Sequence, residues 1–390
     1  VFPNFNIYST PLLILVFQGL IFAILLLARY SIKKNISDLF LALILLLTCY
    51  SQTCYTVGFM GWYDTYRNTK INYFLYNIAI VLGPLIFLYV RSITTSNFSF
   101  KRKDWWHFFL AFLFAFYRIL IFIYDAQQPG FNDTQNGFLK INLDEAIIQP
   151  VMSFIEFPFL LLYLAFTLQL FYNYRKKIMH YFSNTYKLEL NWILSFLILF
   201  ALLFLYDTIQ SIVGVFVTDL SFKQRWWLNL LTAIITLYIG IKGYFTDTTK
   251  LNKLNFSFSP SRDAIPEKKD SSTKKTISEK DIKVLKALME NDKVYLNPEL
   301  NLSDLAEQAN MSRAKVSEVI NSGFNKNFND FVNMYRINAF KNMIKENKHK
   351  QLSLLGIAQE CGFNSKATFN RVFKKLTNHS PSEYLKSSTN

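Results

Sequence analysis

Near the C-terminus, the stretch GFNSKATFNRVFKK, from Gly362 to Lys375, sets four cations, Lys366, Arg371, Lys374 and Lys375, within ten positions. At about 100° per residue of helix, Phe369, Val372 and Phe373 share one face. Ala367, Arg371 and Lys374 lie opposite, with Asn370 and Lys375 beside them. An apolar face backed by a cationic one suits a helix seated on a core and offered to an anionic polymer. Arg371 can donate two N–H bonds to the O6 and N7 of guanine, and Asn370 can pair with adenine. Lys366, Lys374 and Lys375 suit phosphates, which need charge rather than shape. Ser365 is read as a helix cap. On its own such a pattern more often marks the solvated face of a surface helix.

The same pattern occurs twice. Residues 302–321 and 354–375 each read as two short helices around a tight turn, the helix-turn-helix layout. Ala306 matches Ala358 at a shift of 52, and Ser312, Val316, Val319 and Ile320 match Ser365, Phe369, Val372 and Phe373 at 53, a one-residue difference in the turn. In the first copy Ser303 is expected to cap a helix carrying Leu305, Ala306 and Ala309. A break follows at Asn310–Met311, and Ser312 caps the second helix. Phe328–Ile344 reads as one linking helix, and the exits correspond, Phe328 to Pro381 and Phe331 to Tyr384. Upstream, Ile282, Leu285, Leu288 and Met289 mark a further amphipathic helix. A duplicated motif argues for a built unit more strongly than one copy. The first copy presents Ala314, Glu318 and Asn321 outward, flanked by Arg313 and Lys315. Glu318 stands where Arg371 stands in the second copy. An acid there repels phosphate but can accept from cytosine N4, so base readout is assigned chiefly to the second copy.

These residues resemble the DNA-binding domain of AraC/XylS-type transcription regulators over residues 277–390. The resemblance rests on IAQECGF, on S-x-x-x-F-x-R-x-F-K-K from Ser365 to Lys375, and on SPSEYLK. It implies double-stranded DNA as partner, with both recognition helices in successive major grooves on one face of the duplex. Members of that family usually carry Gly at the exit of each recognition helix. Asn325 and Asn378 stand there in this chain, and Asn tolerates the left-handed backbone such an exit needs.

The remainder of the chain is different. It carries 39 Phe and 22 Tyr in 390 residues, and its charges are sparse before residue 246: 18 Lys+Arg and 11 Asp+Glu, against 24 and 16 after it. Seven apolar runs approach the ~20 residues needed to cross a bilayer: Pro11–Ala28, Leu39–Phe59, Ile71–Ile93, Trp105–Tyr124, Ile148–Tyr172, Leu190–Val217 and Trp226–Phe245. Alternate connections carry 11 cations (Arg29, Lys33, Lys34, Arg91, Lys101, Arg102, Lys103, Arg175, Lys176, Lys177, Lys187) and 5 (Arg67, Lys70, Lys140, Lys223, Arg225). The positive-inside bias places the first set in the cytoplasm, the N-terminus outside and the C-terminal residues inside. The expected architecture is all-α: a seven-span transmembrane sensor domain over 1–245, a flexible tether over 246–276, and a double helix-turn-helix domain over 277–390. The whole resembles the bacterial branch in which an AraC-type domain hangs from a multi-span membrane sensor. The Ser-, Thr- and Lys-rich tether has a reach on the order of 30 Å and transmits torque poorly. Control by homodimerisation or tail proximity is therefore favoured over a rigid push.

Among the ionisable residues inside spans three stand out: Arg118, Glu156 and Asp207. They lie at similar expected depth, in the outer half, and suit either a structural ion-pair network or a pocket for an unidentified signal ligand. Lys242 is read as a snorkelling anchor. The four His are scattered, and Cys49, Cys54 and Cys361 show no metal or disulfide spacing and are read as core residues. No nucleotide loop, nucleophile elbow or kinase signature is present, so no enzyme, cofactor or metal is expected. No cleavable signal peptide is apparent, and with Val1 first an upstream segment is left open. The reading is a membrane-bound, sequence-specific transcription regulator of the bacterial inner membrane, with DNA and membrane lipid as partners. The rival is a receptor or transporter whose basic tail docks on proteins or anionic lipid. The cation asymmetry makes a test: reporter fusions after Tyr30 and after Asn255 should both read cytoplasmic, and an external signal at Asn255 would remove DNA from reach of the tail.

Overall fold

The computed structural model describes residues 2–73, 78–95, 98–185, 188–218, 220–246 and 278–389. The expected tether therefore lies outside the described residues from 247 on, as does Lys187. Helices account for the fold, and among the described residues the one isolated bridge joins Phe182 and Asn301. The chain forms two compact units: Val1–Phe171 with Asn191–Phe258, and Tyr172–Leu190 with Ser259–Asn390. The second unit thus takes in a segment that the sequence reading had left inside the membrane domain.

Among the described residues, six helices are long and apolar enough to cross a membrane: Ser9–Lys33, Ile36–Phe59, Arg102–Ala126, Lys140–Tyr181, Asn191–Gly214 and Trp226–Phe245; of these Lys140–Tyr181 runs past Phe171 into the second unit, and the others lie in the first. The expected third span, Ile71–Ile93, is represented by the helix Ile78–Thr94; its 17 residues rise about 25 Å, short of a hydrocarbon layer, and 74–77 lie outside the described residues. The fifth span is longer than its apolar run because a π-helix, Lys140–Ile148, leads without a break into Gln149–Tyr181. Ser9–Lys33 packs on Ile36–Phe59 and on Trp226–Phe245. At one end of this trio Arg29 donates to Asp38 at 2.6 and 2.8 Å and to the carbonyls of Gly243 and Tyr244, tying the three helices together. Side chains are distributed inside out relative to a water-soluble bundle. Phe17, Ile24, Phe116, Phe154 and Phe216 are exposed, while Gln52, Thr56, Arg118, Asn229 and Thr236 are buried.

The second unit contains both helix-turn-helix copies. In the first, Leu302–Gln308 precedes Arg313–Glu318, which ends in a π-turn over Val319–Gly323. In the second, Leu354–Glu360 precedes Lys366–Thr377. Between them the linking helix runs Phe328–Lys345. It serves two cores: Phe328, Phe331 and Val332 join Leu305, Val316 and Ile320, whereas Ile337, Phe340 and Ile344 join Ile357, Phe369 and Phe373.

Capping explains the boundaries. Ser312 and Ser365 accept from the amides of Lys315 and Thr368, both at 3.2 Å, as their positions predict. Ser303 does not cap the first helix. Asn301 does, accepting from Ser303 and Asp304 while Asp304 accepts from the Asn301 amide, a reciprocal box that starts the helix before Ser303. The four tight points are left-handed: Asn310 (φ 51°) and Gly362 (φ 89°) at the turns, Asn325 (φ 52°) and Asn378 (φ 60°) at the exits. The two exit asparagines do take the backbone that glycine commonly supplies. At Gly362 a Cβ would also lie 2.5 Å from the Tyr295 carbonyl oxygen, so this turn excludes any side chain.

Phe373 is fully buried against Phe340, Phe369 and Tyr384. Phe373→Ala should cost ~3–5 kcal/mol and melt the second copy, read as loss of helical signal in a denaturant titration of residues 277–390. Gly362→Ala should also destabilise, whereas Asn378→Gly should be close to neutral.

Candidate functional site

The second recognition helix, Lys366–Thr377, displays the face its sequence predicts. Phe369, Val372 and Phe373 are buried, and Lys366, Ala367, Asn370, Arg371, Lys374 and Lys375 are exposed. In the first copy Arg313 and Ala314 are exposed while Lys315 and Glu318 are half-buried. The linking helix contributes to both cores and so holds both copies. Each recognition helix therefore keeps a polar face on a shared scaffold, the arrangement that double groove insertion requires.

Several of these cations are engaged by acids within the same unit. Lys315 lies 3.2 Å from Asp281 and 3.9 Å from Glu318. Lys375 meets Asp330 of the linking helix at 2.5 Å. Arg371, whose side chain is 45% exposed, donates from Nη1 to both carboxylate oxygens of Glu189 at 2.6 Å. Glu189 is itself buried and also accepts from Thr185 Oγ1 at 2.7 Å, with Arg175 3.5 Å away. Burial pushes its pKa up, but the bonds from Arg371 and Thr185 outweigh that and hold it below the ordinary glutamate range.

A second element supports this surface. Arg336, in the middle of the linking helix, is 1% exposed. It donates to the carbonyls of Tyr295 at 2.8 Å and Asn297 at 2.7 Å, and to Ser183 Oγ at 3.2 Å. Burial lowers it to about 10, which leaves it charged at neutral pH. Neither Arg336 nor Glu189 was singled out from sequence. Arg336 sits in a run of mixed polarity, and Glu189 borders an apolar run more than 180 residues from its partner, so spacing carried no signal for either pair.

In the first unit, Arg118 is buried as expected, but its carboxylate partner is neither of the two span acids the sequence grouped with it. It lies 3.2 Å from Asp144, which falls between the expected spans Trp105–Tyr124 and Ile148–Tyr172, and donates to the Asn72 carbonyl at 2.8 Å and to Tyr117 Oη at 2.9 Å. Asp144 also accepts from Lys140, from the Tyr117 hydroxyl and from Gln149 at 2.9 Å. Glu156 is half-buried and Asp207 exposed. The grouping failed because the loop folds back: Asp125 accepts from the amides of Leu139 and Lys140 and from the Tyr73 hydroxyl, which draws the π-helix onto the Arg118 helix. Among the described residues no group of three or more His, Cys, Asp or Glu is placed to hold a metal ion, and all three cysteines are free thiols, with Cys54 only half-buried.

Asp144→Asn would leave Lys140 and Arg118 buried without their shared carboxylate, an expected loss of ~3–5 kcal/mol. A marked fall in the thermal unfolding temperature of the purified chain should follow.

Residues 305–387 match the family described as helix-turn-helix domain, here of the AraC type. An uncharacterized HTH-type transcriptional regulator of Haemophilus influenzae is 34% identical over 87 residues, 22% of this chain and 28% of that regulator, so the chain spans well under a third of the relative it matches. No solved structure matches the chain. The C-terminal unit carries an AraC-type helix-turn-helix domain of the kind found in DNA-binding regulators.

Proposed function

We propose that this chain is a membrane-bound transcription regulator that binds double-stranded DNA in a sequence-specific way through both helix-turn-helix copies, under control of a signal received by the apolar helical unit. The observation that carries the DNA reading is the pair of capped recognition helices on one linking helix, over residues that match the AraC-type domain. The membrane reading is supported by the long apolar helices with exposed Phe, Ile and Leu and buried polar groups, a distribution that lipid favours and water penalises. The tail then faces the cytoplasm, as the cation bias suggests.

In this reading Arg371 reads a base, with guanine the best geometric match, and Asn370 an adjacent one. Lys366, Lys374, Lys375, Arg313 and Lys315 neutralise phosphates and set the register. Glu318 keeps the first helix from close phosphate contact and accepts from cytosine. The membrane surface supplies lipid contacts, the signal ligand is of unknown class, and homodimerisation is the favoured route of control.

The experiment is a binding titration of residues 277–390 against a randomised duplex at several salt concentrations. Arg371→Ala should cost ~1–3 kcal/mol at the preferred site and relax one base position. Lys375→Ala should weaken all sequences alike and reduce the salt slope by about one. Identical behaviour of the two variants would remove Arg371 as a base reader. Absence of salt-dependent DNA affinity would transfer the assignment to a tail that docks on protein or lipid.

A further inference from the structure

The segment Tyr172–Leu190 belongs to the same compact unit as the helix-turn-helix copies, although in sequence it lies between two long apolar helices. Its attachment is specific and has two points. At the first, Phe182 forms the antiparallel bridge with Asn301, and Ser183 donates through Oγ to the Leu300 carbonyl at 2.6 Å. The linking helix closes over it: Asn329 Nδ2 donates to the carbonyls of Phe182 at 3.0 Å and Ser183 at 2.8 Å, and Asn333 Nδ2 to the Ser183 carbonyl at 3.2 Å. At the second point the Glu189 carboxylate holds Arg371. Between them the Thr185 carbonyl accepts from the Glu189 amide at 2.8 Å, and Tyr174 donates to the Leu188 carbonyl at 2.7 Å, which fixes the carboxylate in place. Ser183, Thr185 and Glu189 are all buried.

Glu189 offers Arg371 what a guanine edge offers: two acceptor atoms close together, with negative potential. With Nη1 held on both Glu189 oxygens, the guanidinium is pinned to the segment and is not free to turn that edge to a guanine. We propose that Phe182–Thr185 and Leu188–Glu189 form a tethered competitor of DNA, seated on the linking helix through Ser183 and masking the base-reading Arg371 through Glu189, so that seating of these residues and DNA binding exclude one another. This rests on the proposed function. It places the control point in the chain itself, since the segment is covalently continuous with the apolar helices Gln149–Tyr181 and Asn191–Phe216 that flank it. A signal that moves those helix ends by a few ångström would unseat the segment, without transmission through the tether after residue 245.

The apparent affinity of a masked reader is its intrinsic affinity scaled by the unmasked fraction. The test uses the full-length chain in nanodiscs, titrated with a duplex selected from a randomised pool. Glu189→Gln and Asn329→Ala should each tighten binding by about fivefold or more, corresponding to an unmasked fraction of about one fifth or less in the parent. Asn329→Ala changes no charge and leaves Arg371 and Glu189 in place, so it separates unseating from a general loss of negative charge. Glu346→Gln, an exposed acid on the same unit, is the charge control and should leave affinity unchanged. Saturating duplex should in turn speed hydrogen exchange at the Ser183 and Glu189 amides, which are bonded to Leu300 and Thr185. Unchanged affinity in both variants, or weaker binding in Glu189→Gln, would overturn the proposal; the latter would make Glu189 a positioning residue for Arg371. Tight binding by the two variants where the parent chain binds weakly supports it most directly. A chain that binds no duplex in any variant overturns the DNA-binding reading itself, and the competitor with it.

Discussion

A buried guanidinium at the centre of the linking helix is the constraint on which the C-terminal unit depends. Arg336 is charged, all but inaccessible, and bonded to two backbone carbonyls and a serine hydroxyl. Burying a cation this far is costly unless its donors are used. The turn after the first helix of the unit, the carbonyls of Tyr295 and Asn297, and Ser183 must therefore converge on it. Phe363 lies under its charge, with the guanidinium carbon 5.8 Å from the ring centroid, and Gly362 leaves room for its Nε. One side chain thus fastens the first copy's entry, the second copy's turn and the segment around Ser183 to a single helix.

The linking helix turns that local constraint into a spatial relation between the two recognition helices. Because it gives Phe328, Phe331 and Val332 to one core and Ile337, Phe340 and Ile344 to the other, the copies cannot rotate independently without opening apolar surface. The copies are not equivalent. The second presents Lys366–Thr377 with an exposed cationic face, whereas the first runs Arg313–Glu318 directly into a π-helix over Val319–Gly323 and carries Glu318 where the second carries Arg371. That asymmetry accords with one copy reading bases and the other chiefly setting register.

The apolar unit follows a different physical logic. Its buried charges are shared: Lys140 and Arg118 converge on Asp144, and Arg29 on Asp38. Low dielectric surroundings make such pairing obligatory, because an isolated charge there has no water to solvate it. The cluster around Asp144 fastens the π-helix Lys140–Ile148 onto the helix that carries Arg118, so Arg118 acts as a tie between elements adjacent in the fold.

Much of this protein was legible in its sequence. Periodicity located the linking helix to within one residue of its observed end and assigned Phe369, Val372 and Phe373 to the core; the internal repeat revealed two copies, and small capping residues marked Ser312 and Ser365. These features depend on contacts within a few turns of chain, which residue type and spacing encode directly. The cap expected at Ser303 fell instead to Asn301, through a reciprocal bond with Asp304 that residue type alone does not record. Only the tertiary structure decided the pairings. Arg118 with Asp144, Arg336 with Ser183 and Arg371 with Glu189 join residues 26, 153 and 182 positions apart. A charge in sequence has many possible partners, and which one it meets depends on how loops fold back over distances that no local periodicity records.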